Sequence, residues 1–172
     1  MGAKLFVLVL GVVFVLGVML AGFGQAAAAA GGEQRESFVL HPIGTVHKRG
    51  SATTIKIKPT YQAGLQGLDG FSHVWVFWWF DRNDTPERRR TLQVHPRGNR
   101  DNPLTGVFAT RSPVRPNLIA MTLCKIRKVE GNVVEVEDID AFDNTPVVDL
   151  KPYIPGYDGD GKATVPDWIG RS

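Results

Sequence analysis

The sequence predicts a mainly β domain, a small barrel with short helical segments, behind a hydrophobic targeting segment. Three observations carry that prediction. Apolar and polar residues alternate in Thr53–Lys58 (TTIKIK) and in Val133–Glu137 (VVEVE), as they do along a half-buried strand. All 11 prolines fall after residue 41, where they separate short β-rich runs instead of interrupting long helical ones. No internal repeat and no strand–helix–strand alternation is found, which leaves a small antiparallel or mixed sheet closed into a barrel.

The start of the chain has a different character. Met1 to Lys4 supplies a short basic end, and Leu5 to Gly24 then runs without a charged side chain. The alanine run Ala26–Ala30 follows, with several small-x-small sites. Basic, apolar, small is the order of a secretory signal. About twenty apolar residues also suffice to cross a bilayer, so residues 1–30 read as a signal peptide or as an N-terminal membrane anchor through residues 5–24. Lys4 ahead of the apolar run favours an N-terminus held inside and a domain carried out. The expected location is therefore exported, periplasmic or extracellular, or membrane-anchored by the N-terminus. No cysteine stands directly after the run, so no lipoprotein attachment site is expected.

The formal net charge of +3 is too small to argue for nucleic acid by itself. The single cysteine, Cys124, excludes an internal disulfide and a multi-cysteine metal site. The domain must be held by its core, and the chain beyond the leader is long enough to build one.

Gly31–Ser37 is small and polar and reads as a linker. Phe38–His47 is β-rich, with Pro42 marking an edge or a bend. Thr53–Lys58 is the half-buried strand already noted. Tyr61–Gly70, with Leu65 and Leu68 three apart, suits one short helical turn. Phe71–Phe80 (FSHVWVFWWF) is too short for a membrane span and reads as a central strand buried on both faces, with His73 in the core. Asp81–Thr105 is a long polar loop, and loops of that length in a small domain are commonly functional. Gly106–Thr110 returns to strand, Arg111–Asn117 is a proline-fixed loop, and Met121–Glu130 is a further strand. Gly131-Asn132 fits a hairpin turn into Val133–Glu137, and Asp143–Pro146 is a turn before an irregular end. The domain is expected over residues 38–158, with 159–172 as a tail.

No familiar catalytic motif appears: no GxSxG, GxxxxGK[ST], HExxH, CxxC or GxGxxG. His41, His47, His73 and His95 lack metal-ligand spacing, and no metal site is expected. The stronger constellation is cationic. Arg97, Arg100, Arg111 and Arg115 occupy two loops beside the GVFAT segment, and arginine's planar fork suits carboxylates and phosphates. Pro113 and Pro116 bracket Arg115 and restrain its loop. Arg88-Arg89-Arg90 reads as a solvated face. A second, acidic constellation is Glu137, Asp138, Asp140, Asp143 and Asp149. Arginines facing carboxylates could hold a zwitterionic ligand.

The segments Gly106–Asn117 (GVFATRSPVRPN) and Asn144–Pro155 (NTPVVDLKPYIP) closely resemble the TsaA-like family, whose best-described members are the TrmO tRNA methyltransferases. Gly67–Phe80 (GLDGFSHVWVFWWF) and the loop His95-Pro96-Arg97-Gly98 are similar to it as well. The resemblance implies a small β-barrel without a Rossmann sheet, binding S-adenosyl-L-methionine and forming a homodimer. It implies methyl transfer to N6 of threonylcarbamoyladenosine beside the tRNA anticodon, with tRNA as partner if the domain faces the cytoplasm. By motif position, the cofactor site would comprise Asp81, Arg82, Arg111, Met121, Glu137, Asp138, Ile139 and Asp140. Arg97 and Arg115 would meet the substrate, and Asp143 would take a proton in catalysis. The chain departs from the family in three places. Leu118 and Ala120 stand where the pattern RPNPIG has proline and glycine, the first strand connection is only about Lys48 to Ala52, and Asn144 replaces a glycine. The alternative function is an exported, non-catalytic small-molecule-binding module on the same barrel.

Overall fold

The structure, a computed structural model, describes residues 37–169. The leader expected over residues 1–30 lies outside the described residues, as does all of the linker except Ser37. Eight strands occur in the described chain: β1 (Gly44–Arg49), β2 (Ala52–Ile57), β3 (His73–Trp79), β4 (Gln93–Val94), β5 (Thr105–Gly106), β6 (Ile119–Glu130), β7 (Val133–Glu137) and β8 (Pro146–Pro152). Six of them close into an antiparallel barrel in the order β1-β2-β7-β6-β3-β8, while β4 and β5 form a separate two-stranded ribbon. Two short helices, α1 (Pro86–Arg89) and α2 (Pro155–Asp158), and several 3-10 turns complete the domain.

Alternation builds the barrel. Because side chains leave a strand on opposite faces in turn, every second residue enters the interior. Val46 of β1, Ile55 and Ile57 of β2, Val74, Val76 and Trp78 of β3, Cys124 of β6, Val134 and Val136 of β7 and Val147 of β8 all do so. Two 3-10 turns, Pro59–Leu65 and Leu68–Gly70, add Leu65 and Leu68 to that core. The hairpins turn at Gly50 (φ 58°) and Gly131 (φ 59°), both in the left-handed region that glycine tolerates. The β1–β8 seam that closes the barrel is short, pairing Gly44 with Val147 and Thr45 with Pro146. Gly44 is itself tightly enclosed: a Cβ there would lie 2.6 Å from the Lys56 carbonyl oxygen.

Several expectations are corrected. The aromatic strand is not buried on both faces. Its alternate residues His73, Trp75, Phe77 and Trp79 look outward and are only half-buried. These bulky side chains shield one another and their neighbours, as Trp75 does edge-on against Tyr153 at 6.1 Å, so an unbroken apolar run arises without a second core. His73 is on that outer side, bonded to the Ser72 hydroxyl at 2.9 Å, and is no core histidine. The first strand begins at Gly44, not Phe38; Pro42 precedes it, and Phe38, Val39 and Leu40 are exposed. GVFAT contributes only its first residue to β5 before a 3-10 turn over Val107–Ala109. No strand is expected after the Asp143–Pro146 turn, yet β8 follows it directly, with prolines at its first and last positions, where a strand tolerates them.

Candidate functional site

A cleft of about 730 Å³ opens where the segment after β3, the loop before β6, β6 itself and the β7–β8 connection meet. That volume suits a small-molecule ligand. Another cavity, of about 590 Å³ beside the first 3-10 turns, has Asp149 as its one charged lining residue. The larger cleft instead gathers Arg82, Arg111 and Arg115 with Asp81 and Asp140.

Each element presents its residues for a local reason. β3 ends at Trp79, and the chain turns through Asp81–Asn83 in a 3-10 turn, bringing Asp81 and Arg82 to the rim. The Phe80 amide donates to the Leu118 carbonyl at 2.9 Å, fixing that turn to the entry of β6. Leu118 is fully buried, so this departure from the family's proline fills the interior and anchors one end of the arginine loop. Within the loop, the Thr110 hydroxyl accepts from the Ser112 amide at 3.2 Å, and the Ser112 hydroxyl accepts from the Val114 amide at 3.3 Å. Arg115 closes the loop on itself by donating to the Thr110 carbonyl at 3.2 Å. Arg111 is left exposed at the cleft.

On β6, Ala120 and Met121 pair with Trp78 and Phe77 of β3 and line the same cleft. Trp78 donates its indole N–H to the Thr122 hydroxyl at 3.0 Å and lies edge-on to Phe80 at 4.9 Å, giving the cleft an ordered apolar wall. From the β7–β8 connection come Asp140 and Phe142. The guanidinium of Arg82 stacks over the Phe142 ring.

Six of the residues singled out from sequence thus share one cleft: Asp81, Arg82, Arg111, Arg115, Met121 and Asp140. The others lie elsewhere. Glu137 is ion-paired with Lys125 at 3.9 Å and with Arg127. Asp138 is exposed with a left-handed backbone (φ 63°). The Ile139 side chain is in the core, and its carbonyl accepts from Lys48 Nζ at 3.1 Å. Arg97 sits in the 3-10 turn Pro96–Gly98 with φ 59°, on a loop tied at its base by His95 Nδ1 and the Asn102 carbonyl at 2.8 Å. Asp143 also lies off the cleft lining. One of its oxygens accepts the Lys48 amide at 2.9 Å and the other the Asn144 side-chain amide at 2.9 Å, which secures the turn where Asn144 takes φ 66°.

Two contributors escaped sequence reasoning. Phe142 is a single aromatic between acidic positions, which carries no periodic signal. Arg89 belongs to a run that reads as a solvated face, and the structure corrects this. It forks onto Asp84 (Nε to Oδ1 2.7 Å, Nη2 to Oδ2 3.0 Å), donates through Nη1 to the Pro116 carbonyl at 3.1 Å and lies 5.4 Å above Trp79. Trp79 donates to the same Asp84 carboxylate at 3.1 Å. The Arg89 hydrogen bonds, with help from Trp79, hold the Asp84 carboxyl below the usual carboxylate range, and Arg89 is held correspondingly more basic. The sequence signal was Thr85-Pro86, a capped helix start that aims the following arginines.

A sequence model described as the tRNA-methyltransferase O N-terminal domain matches residues 36–159. A probable S-adenosyl-L-methionine-binding protein of Pyrococcus horikoshii is 46% identical over 123 residues, covering 72% of this chain and 88% of that protein. The human tRNA (adenine(37)-N6)-methyltransferase is 48% identical over 94 residues, which are 55% of this chain but only 21% of the human protein. Among solved structures, TrmO from Pseudomonas aeruginosa superposes with a TM-score of 0.59 at 26% identity, covering 75% of this chain and 61% of that one.

Proposed function

The chain belongs to the family of the tRNA-methyltransferase O N-terminal domain, and on that premise we propose that it binds S-adenosyl-L-methionine and transfers its methyl group to tRNA. The observation that carries the reading is the cleft's charge arrangement. Arg82, Arg111 and Arg115 stand with Asp81 and Asp140 around one apolar wall. A ligand with a carboxylate, an ammonium and a flat heterocycle matches that set: arginine for the first, a carboxylate for the second, the aromatic wall for the third. When bound, S-adenosyl-L-methionine supplies an electrophilic methyl group on a sulfonium. The residues of the chain hold and orient the reactants, and in this reading Asp140, the carboxylate of the β7–β8 connection that lines the cleft, accepts the proton. The acceptor in this reading is N6 of threonylcarbamoyladenosine, and the working form is a homodimer.

A second reading is favoured by one specific feature, the Lys4–apolar–alanine leader, which would carry the domain away from tRNA. The same cleft would then bind a different zwitterion without catalysis.

Calorimetric titration with S-adenosyl-L-methionine tests the proposal. The parent protein binds, and Arg111→Ala loses a charge-assisted contact of about 1.5–3 kcal/mol, or roughly a tenfold to hundredfold in affinity. Arg90→Ala, exposed at the end of α1, leaves affinity unchanged. A parent that shows no binding at millimolar ligand overturns the methyltransferase reading and leaves the binding module.

A further inference from the structure

The arginine loop that lines the cleft is internally bonded, yet its orientation relative to the rest of the site depends on what holds it from outside. At its end this is Leu118, buried in the core and bonded to Phe80. Two residues earlier, the contact comes from the neighbouring excursion, where the Pro116 carbonyl accepts from Arg89. The pose in which Arg89 makes that bond is fixed from its other side. Two of its nitrogens are engaged by Asp84, and Asp84 is in turn held by the Trp79 indole. Trp79 is the last residue of β3, whose preceding residue Trp78 forms the cleft wall. The base of the excursion is set as well, since Thr85 caps α1 by accepting from the Arg88 amide at 3.3 Å and Pro86 fixes its first turn.

We propose that Arg89, oriented by Asp84 and Trp79, is a positioning residue: it transmits the geometry of the barrel strand β3 to the loop that presents Arg111 and Arg115. The guanidinium fork is required for this. One face of it must satisfy a carboxylate while the remaining nitrogen reaches a backbone carbonyl, and a lysine ammonium cannot span both in a fixed plane. Neither Arg89 nor Asp84 touches the cleft, so the effect on ligand reaches it through the loop. That effect rests on the S-adenosyl-L-methionine reading, whereas the ordering of the loop does not.

The experiment separates the two. Amide hydrogen exchange is measured on the full chain without ligand, and affinity for S-adenosyl-L-methionine by calorimetry, for the parent, Arg89→Ala, Arg89→Lys, Asp84→Asn and Arg90→Ala. Expected for Arg89→Ala is exchange about tenfold faster across residues 110–117 with β3 and β6 amides unchanged, and an affinity about tenfold weaker. Arg89→Lys recovers only part of both, Asp84→Asn (which keeps the volume and one acceptor) behaves like Arg89→Ala, and Arg90→Ala matches the parent. Unchanged exchange in the loop overturns the proposal. So does faster exchange with undiminished affinity, because the loop's pose would then not matter to the ligand. If the parent fails to bind while the loop loosens as expected, the positioning role stands and the functional reading falls.

Discussion

The guanidinium of Arg82 lies over the ring of Phe142, its central carbon 3.9 Å from the ring centroid, and so joins the turn after β3 to the β7–β8 connection across the cleft rim. Both residues are exposed, which limits the pair's contribution to about 0.5–1 kcal/mol of stability. Its larger effect is on readiness. An arginine held by a ring loses less rotational freedom when it meets an anion, an effect of about 0.5–1.5 kcal/mol per side chain. Phe142→Ala is therefore expected to leave the thermal midpoint nearly unchanged while weakening ligand binding about twofold to tenfold. Paired melting and calorimetry check this; equal affinity with and without the ring would show that Arg82 gains nothing from it.

Asp143 and Asp140 stand three residues apart in different surroundings. Asp143 spends both oxygens on its turn, so Asp143→Asn, which keeps one acceptor for the Lys48 amide, is expected to retain turnover. Asp140, at the cleft, is expected to lose turnover when changed to Asn, with cofactor affinity altered far less. Single-turnover methyl transfer to tRNA distinguishes them. The reverse pattern would return the proton-accepting role to Asp143.

Cys124 faces the barrel interior, and burial, with the Asp138 charge adding, pushes its thiol up to about 12. The thiolate is the reactive species, so native protein at pH 8 is expected to alkylate roughly a thousandfold more slowly than unfolded protein. The folded state keeps a proton that the unfolded state gives up, so this contribution to stability is intact below the ordinary thiol value of 9.0 and is lost as pH rises towards 12. Denaturation curves of parent and Cys124→Ala between neutral and alkaline pH test it, the parent declining more steeply.

The leader carries its own test. Residues 1–35 fused to a reporter active only outside the cytoplasm are expected to give activity. A full-length but inactive reporter would remove export from the account.

What was legible in the sequence was whatever alternation or turn chemistry could spell. TTIKIK and VVEVE became β2 and β7, and Gly131-Asn132 became the turn between β6 and β7. Long aromatic side chains defeated the same logic in β3, because Trp75 and Phe77 look apolar in the sequence while standing on the outer face. The cleft was legible as an inventory of arginines and acids, yet not as a geometry. Nothing in the spacing of Asp138, Ile139 and Asp140 says that a left-handed residue (φ 63°) turns the chain, so that Ile139 enters the core and only Asp140 reaches the cleft. Arg89 was missed for a related reason: a run of like charges conceals the one member whose neighbour five residues back is a carboxylate.

The short seam between β1 and β8 also has a temporal meaning. It pairs Gly44 with Val147, so the contact closes a loop of about a hundred residues, and the entropy of that closure is met only after the intervening hairpins exist. Neighbouring pairs such as β6 with β7 involve strands adjacent in sequence and can assemble early. A growing chain therefore exposes an open, curled sheet until its last strand emerges, and β8, pairing with β3 on one side and β1 on the other, then turns that sheet into a ring.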